Sequence, residues 1–283
     1  MKCPICNNDN NKQYRRHNNF NSYICSLCKH VYVDIGDFDF ASLYQEDFYS
    51  GYMSGVGYEQ AYHLHLKKDF INKVNLIKTL IPKGSSILEI GSGPGYFASM
   101  LNQEGYDVTA VELSDGAQNY ADNNNINVEI LSEDISLPTC SIHDQKYDLV
   151  ISWAVIEHVP DPHEFINLMK KYCKKDGFIS IDTGVLLKFL SLIDVGYTSW
   201  LDPPHHLHVF SHKSLYSLIE NNFRVTAYYP HWDLGYESKR NLKILIFYTK
   251  RIIYSLLKLD KALFKKNVGQ YNSRGLIIGK NNK

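Results

Sequence analysis

The sequence predicts a doubly wound α/β domain, and three observations carry that expectation. Short apolar runs recur along the chain (SSILEI, DVTAVE, NVEIL, YDLVIS and GFISID) and read as strands of a largely parallel sheet, with helical segments beside them. The first of these runs ends in Glu89 and breaks at once into the glycine turn GSGPG at 91–95. The second ends in an acid, Glu112, about twenty residues past the turn, where doubly wound folds bind ribose hydroxyls.

Composition sets the limits. With 44% hydrophobic and 13% aromatic residues among 283, the chain can bury one large core and a small accessory unit. Lys plus Arg equals Asp plus Glu at 30 each, so overall charge gives no push toward nucleic acid. No apolar run reaches about 18 residues. Nor does a charged-then-apolar leader open the sequence, so the expectation is a cytoplasmic protein without a spanning helix or signal peptide.

Taken in order, residues 1–36 form the first unit. Cys3 and Cys6 stand in CPIC and Cys25 and Cys28 in CSLC, which fits the C-x2-C-x15–20-C-x2-C spacing of structural zinc sites. Four thiolates on two tight knuckles can close a tetrahedron around Zn2+ and supply folding energy to a module too small for its own core. Two disulfides are the alternative, which a reducing compartment disfavours. Lys2, Lys12, Arg15, Arg16 and Lys29, with few aromatics among them, make a modest basic patch that reads as a solvated face. Cys140 and Cys173 lack partners at ligand spacing and read as buried thiols.

Residues 37–84 read as a lid. Tyr44, Phe48, Tyr49, Tyr52, Tyr58 and Tyr62 crowd a glycine-punctuated stretch before a helix over 67–80. Such rings give apolar area with a polar tip and attract cations; packing of the lid on the core is the plainer use.

The domain proper begins with Ile87, Leu88 and Ile90 as the buried part of a parallel strand. Gly91, Gly93 and Gly95, with Ser92 between them, let the backbone approach a flat ligand, and a side chain at those glycines is expected to take the ligand's place. A dinucleotide fingerprint needs a third glycine where this chain has Tyr96, so the pattern is GxGxG rather than GxGxxG. Glu112 can accept from two neighbouring ribose hydroxyls, or serve as a helix N-terminal acid beside Ser114. A third strand over 127–131 precedes Ser132, Glu133 and Asp134, and a fourth is read over 147–159, ending in Glu157, His158 and Val159. A helix over 162–174 and a bend at Asp176 and Gly177 follow.

These residues carry a resemblance. EIGSGPG is similar to motif I of the class I S-adenosylmethionine (SAM) methyltransferases, and the strand-four tip EHV resembles that of small-molecule members, including ubiquinone-type O-methyltransferases and sugar C-methyltransferases. The N-terminal module with YICSLCKHVYVD resembles that of sugar methyltransferases. The resemblance implies a seven-stranded sheet with the last strand, RGLIIG, antiparallel. It also implies a zinc module at 1–36, a lid at 37–84, and a methyltransferase domain at 85–283 with a helical insertion near 237–267. It implies that Glu89 anchors the methionine end of SAM, that the turn accommodates the donor, and that Asp134 accepts from the adenine amine. Leu113, Ile135 and Trp153 complete the implied cofactor contacts.

For catalysis, His158 is the expected general base, since histidine can carry a proton near neutral pH, with Glu157 orienting its ring. Helix capping near Asp161 is the alternative for this pair. Pro203, Pro204, His205, His206 and His208 resemble a segment that many of these enzymes place over the active site. His205 and His208 are therefore competing candidates. Three histidines could hold a metal, but Asp202 is the sole carboxylate near them in sequence, so substrate contact or base catalysis fits better. In the insertion, leucines and isoleucines at helical spacing alternate with Lys and Arg over 239–266. That stretch suits a cap over the site or a surface resting on anionic lipid, and its charge suits a phosphorylated substrate.

The function expected is methyl transfer from SAM to a hydroxyl or carbon of a small hydroxylated substrate, foremost a sugar or nucleotide sugar of surface polysaccharide biosynthesis. A zinc-ribbon ribosomal RNA methyltransferase, and a non-catalytic SAM-binding or partner-binding protein, are the alternatives; a nitrogen acceptor is also open. The residues do not indicate an oligomeric state.

Overall fold

A computed structural model describes residues 1–17, 19–36, 38, 58–114, 116–137, 139–142, 147–186, 200–229 and 273–282. The chain opens with an antiparallel sheet of β1 (Asn11–His17), β2 (Phe20–Cys25) and β3 (Val31–Asp34). A helical segment follows: α1 (Tyr58–Ala61), one π-helical turn (Tyr62–Leu66) and α2 (Lys67–Leu80).

The apolar runs then build the main sheet. In chain order come β4 (Ser86–Ile90), α3 (Tyr96–Gln103), β5 (Asp107–Glu112), α4 (Gly116–Asn123), β6 (Ile130–Ser132), β7 (Tyr147–Trp153) and α5 (Pro162–Tyr172). They are followed by β8 (Cys173–Val185), β9 (His208–Val209), α6 (His212–Glu220), β10 (Arg224–Tyr229) and β11 (Ser273–Lys280). The seven strands lie in the order β10-β11-β8-β7-β4-β5-β6. All pairings are parallel except those of β11, which is antiparallel to both β8 and β10, as expected of the last strand. Strand order reverses at β4, so the carboxyl ends of β4 and β7 flank the crevice where such sheets bind ligands.

Each face of the sheet carries its own core. Phe70, Val74 and Ile77 of α2 pack with Phe97 and Leu101 of α3 and Ala117 and Ala121 of α4 on one side. Phe165, Ile166 and Met169 of α5 pack with Leu215 and Leu218 of α6 on the other.

Three boundaries differ from the sequence reading. β7 stops at Trp153 rather than 159, because Ala154 turns to φ +54 and donates its N–H to the Asp182 carbonyl at 3.1 Å. The third strand starts at Ile130 rather than 127. α5 ends at Tyr172, since Cys173 is already extended (ψ 127) and begins β8.

The N-terminal sheet does not stand alone. Its fourth strand is β9, paired antiparallel with β3 through Val31↔Val209 and Tyr32↔His208. Val31, Val33, Leu201, Leu207 and Val209 share a small core around this junction, and Cys3, Ile5, Cys25 and Cys28 join the larger core of α5 and α6. Tyr44, Phe48, Tyr49 and Tyr52 of the lid, and the basic stretch at 239–266, lie outside the described residues. Tyr62 stacks on Tyr96 with ring centroids 4.0 Å apart and is buried, which is packing rather than ligand contact. Among the described residues no helix is long and apolar enough to cross a membrane.

Candidate active site

The glycine turn at the end of β4 is held from β5. Glu112 Oε2 accepts from Gly93 N at 2.9 Å, and Oε1 accepts from Leu113 N at 2.9 Å and Ser114 N at 3.2 Å. This acid staples the turn to the neighbouring strand, and burial pushes its carboxyl up. Two of the three glycines are required by the protein's own packing. Gly91 (φ +73) and Gly95 (φ +78) are left-handed, and a Cβ there would meet Val155 Cγ2 and Val128 Cγ1, each at 2.4 Å. Neighbouring side chains of the protein exclude a methyl group at these two positions. Ser92 is buried, Leu113 is exposed, and Asp134 is exposed with Oδ1 accepting from Ser136 N and Oγ at 2.9 and 2.6 Å. Ile135 is buried, and its carbonyl accepts from the Tyr172 hydroxyl at 3.0 Å.

Below the turn lies a buried charge network that the sequence reading missed. Phe70, Lys73, Val74 and Ile77 form the inward face of α2 at spacings of three and four, so Lys73 enters the core with its apolar neighbours. Its Nζ lies 2.6 Å from Asp182 Oδ2 and 2.8 Å from Asp69 Oδ2, and 4.5 Å above the Trp153 ring. Arg274 Nη2 reaches Asp182 Oδ2 at 2.6 Å and Oδ1 at 2.7 Å, and Asp182 Oδ1 also accepts from Ala154 N at 3.0 Å. Two cations thus meet two anions, which leaves the nearby Glu89 and Glu157 without a partner of their own charge balance. Burial pushes Glu89 up to about 8, against the opposing pull of Lys73. Burial also pushes Glu157 up to about 7, with Asp182 adding to the rise and a hydrogen bond from Thr183 opposing it. Glu89 Oε2 and Trp153 Nε1 are buried with no hydrogen-bond partner. The signal in the sequence was a charge at a core position: Lys73 on the apolar stripe of a helix, and Asp182 within GFISID.

Past β7, Glu157 is anchored by its backbone and its side chain. Its carbonyl accepts from Leu207 N at 2.8 Å and His208 N at 3.1 Å, and Oε2 accepts from Thr183 Oγ1 at 2.8 Å. The cap of α5 is Asp161, whose Oδ1 accepts from His163 N at 2.8 Å and Glu164 N at 3.1 Å, so neither Glu157 nor His158 is a capping residue. The His158 ring is set by the His205 carbonyl, to which Nδ1–H donates at 2.8 Å, and not by Glu157. Burial, with His206 beside it, pushes His158 down to about 3. That corrects the expectation of a histidine that carries a proton near neutrality.

The HHLH segment divides by role. His206 Nδ1–H donates to the Trp200 carbonyl at 2.6 Å, and its ring meets that of His158 edge to face at 4.6 Å. His205 is exposed and serves through its carbonyl. His208 is buried in the junction with the N-terminal sheet: Nε2–H donates to the Val159 carbonyl at 3.0 Å, and Nδ1 accepts from His30 Nε2 at 3.1 Å. Both of its nitrogens are engaged inside the protein, so His208 is a structural residue and not a competing base. The residues that converge are Glu157, His158 and His206, the last absent from the predicted set.

In the N-terminal sheet the four cysteines are free thiols brought to one point. Sγ–Sγ distances are 3.6 Å for Cys3–Cys28 and 3.5 Å for Cys6–Cys25 and Cys6–Cys28. Zinc at about 2.3 Å from each sulfur places tetrahedral sulfurs about 3.8 Å apart, so the cluster fits that ion. A hydrogen bond from the Cys28 thiol pulls Cys3 down to about 5, toward the thiolate a metal needs.

Comparison with known proteins decides the family. A family model described as a methyltransferase domain matches residues 62–228, more than half of the chain. The chain belongs to the class I SAM-dependent methyltransferases. Within curated proteins this methyltransferase is 31% identical over 107 residues to a ubiquinone biosynthesis O-methyltransferase of Glaesserella parasuis, covering 35% of the chain and 45% of the relative. To the ubiquinone biosynthesis O-methyltransferase of Rickettsia bellii it is 33% identical over 147 residues, covering 48% and 59%. The matched stretch thus spans about half the length of these relatives. Coclaurine N-methyltransferase, solved with N-methylheliamine and SAH, shares the fold at TM-score 0.50 and 18% identity over 76% of this chain and 73% of its own. The site fits the cofactor of the family. A buried carboxylate oxygen on Glu89 and an indole N–H on Trp153 wait unpaired at the strand ends, beside a turn whose geometry Glu112 already fixes.

Proposed function

We propose that this methyltransferase transfers the methyl group of SAM to a hydroxyl oxygen of a small hydroxylated acceptor. The observation that carries the reading is the convergence of Glu157, His158 and His206 at the carboxyl end of β7. Gly91 of the cofactor turn packs against Val155 in the same segment. SAM supplies an activated methyl group on a sulfonium. The protein's task is to align the acceptor within about 3–3.5 Å of that carbon and to ease loss of the hydroxyl proton. The acceptor oxygen bonds to the methyl carbon as the carbon–sulfur bond breaks, with the electron pair remaining on sulfur. Similarity to ubiquinone biosynthesis O-methyltransferases favours oxygen as the acceptor atom. The N-terminal module favours a sugar or nucleotide sugar as its carrier, and the basic stretch at 239–266 suits the phosphates of such a substrate.

Calorimetry and labelled-methyl assays test this. Glu112→Ala removes the acceptor of three backbone N–H bonds, and with hydrogen bonds to a charged group worth about 1.5–3 kcal/mol each, SAM affinity should fall at least about tenfold. Label should pass to nucleotide sugars or small phenols and not to ribosomal RNA. Unchanged SAM affinity in a folded Glu112→Ala protein, or transfer to RNA alone, rejects the proposal.

Cys3, Cys6, Cys25 and Cys28 are proposed to hold one structural Zn2+, on the support of their sulfur geometry. Zinc retained in full after Cys25→Ser with Cys28→Ser would overturn that assignment.

A further inference from the structure

Resting on the reading of Glu157, His158 and His206 as the acceptor pocket, we infer that His30 of the N-terminal sheet and His208 of β9 are a positioning pair for that pocket, holding the peptide groups on either side of His158. Both act through the backbone they hold and not by contact with the acceptor.

His208 is bonded to both chain neighbours of His158. Its backbone N–H donates to the Glu157 carbonyl at 3.1 Å, and its ring Nε2–H donates to the Val159 carbonyl at 3.0 Å. Leu207 N adds a bond to the Glu157 carbonyl at 2.8 Å, and the His205 carbonyl takes the Nδ1–H of His158 at 2.8 Å. Residues 205–208 thus fix His158 through its backbone on both sides and through its ring. The bond to Val159 needs the His208 proton on Nε2, which leaves Nδ1 as an acceptor.

That tautomer is set from the N-terminal sheet. His30 Nε2–H donates to His208 Nδ1 at 3.1 Å, and Cys25 N fixes the backbone of His30 by donating to its carbonyl at 2.9 Å. β3 begins at the next residue, and its Val33 N donates to the Leu207 carbonyl at 3.0 Å. The same strand that carries His30 therefore grips the segment holding His158.

The choice of histidine at position 30 is an independent observation, because it is costly. The ring is fully buried among Tyr32, His208 and Phe210, with centroids 6.1, 5.2 and 4.7 Å away. Its Nδ1 has no hydrogen-bond partner among the described residues. A buried polar atom left so is destabilising, and an aliphatic side chain of the same bulk would fill the space without that penalty. What a donor adds there is direction: an N–H aimed at His208 selects one tautomer and one ring orientation. Without it, His208 can carry its proton on Nδ1 and turn a lone pair toward the Val159 carbonyl, which releases one side of His158. The cofactor turn is held separately, by Glu112 of β5.

The test compares wild type, His30→Leu and His30→Gln as full-length proteins labelled with 15N-histidine. Leucine keeps the bulk and removes the donor, whereas the glutamine amide can place an N–H where Nε2 was. In wild type, nitrogen resonances should show His208 protonated on Nε2, His158 protonated on Nδ1, and a scalar coupling across the hydrogen bond from His30 to His208. In His30→Leu the His158 signals should leave that single-tautomer pattern. Turnover at saturating SAM should fall at least about tenfold, since small misplacements of an aligned site are costly, while SAM affinity by calorimetry stays within about twofold. His30→Gln should restore both the signals and the turnover. Absence of the coupling in wild type overturns the inference without need of any variant. So do unmoved His158 signals or unchanged turnover in a folded His30→Leu protein, a parallel loss of SAM affinity, or a His30→Gln protein no better than His30→Leu. The resonances need no acceptor, so a failure to find hydroxyl methylation rejects the proposed function and leaves this pair to be judged on its signals.

Discussion

Replacing Lys73 by methionine keeps the length and apolar stem of the side chain and removes one charge from the interior. Lys73 is fully buried, with Nζ 2.6 Å from Asp182 and 2.8 Å from Asp69. Breaking a buried pair by removing one partner costs about 3–5 kcal/mol, because the other partner is left uncompensated. Here Arg274 still holds Asp182 at 2.6 Å, and its Nη1 lies 3.6 Å from Asp69, so the low end of about 3 kcal/mol is expected. At about 2–4 °C per kcal/mol for a chain of this size, the melting temperature should fall by about 6–12 °C. Scanning calorimetry without SAM measures it, and Lys73→Met with Asp69→Asn should recover part of the loss, since the orphaned charge is removed as well. A Lys73→Met protein melting within about 2 °C of wild type would show that the network contributes no net stability.

Two further outcomes follow from the same geometry. Glu89 has a folded pKa of about 8 against an ordinary 4.5, so stability is highest below about 4.5 and is lost as pH rises toward 8. Glu89→Gln should flatten that fall, and since SAM brings positive charge, SAM affinity should rise through pH 8 in wild type and not in the variant; parallel pH profiles by calorimetry would refute this. Gly95→Ala places a side chain at φ +78 with its Cβ 2.4 Å from Val128. Left-handed strain and overpacking together should cost about 2–4 kcal/mol in urea unfolding, and a midpoint equal to wild type would rule out the packing role assigned to this glycine.

The parts of the chain legible in its sequence were those written in local pattern. The GxGxG turn, Glu112 at the next strand tip, the paired cysteine knuckles and the antiparallel RGLIIG strand each occupy a short window, and periodicity or spacing exposes them. The hidden parts join distant residues. Asp182 meets Lys73 and Arg274 across three elements, and His206 meets His158 across a segment of irregular chain, so no window contains the pair. The role of His208 was obscured for the same reason. Its partner, His30, is in the N-terminal sheet, and a histidine in HHLH looks the same in sequence whether it faces a pocket or a core. The pKa of His158 was likewise out of reach, because burial sets it and burial is a property of the assembled fold.

The two-residue strand β9 has a consequence for biosynthesis. β3 ends at Asp34, and the strand that covers its open edge ends at Val209, so the N-terminal sheet emerges from the ribosome well before its last member exists. At about 5–20 residues per second, the delay is on the order of 10–35 s, during which β3 presents an unpaired edge to every other nascent chain nearby. A metal captured early by the cysteines would stiffen β1 to β3 through this interval. The unit is then best regarded as a clasp that can shut once β9 is made, while β10 and β11 of the methyltransferase sheet are still to come.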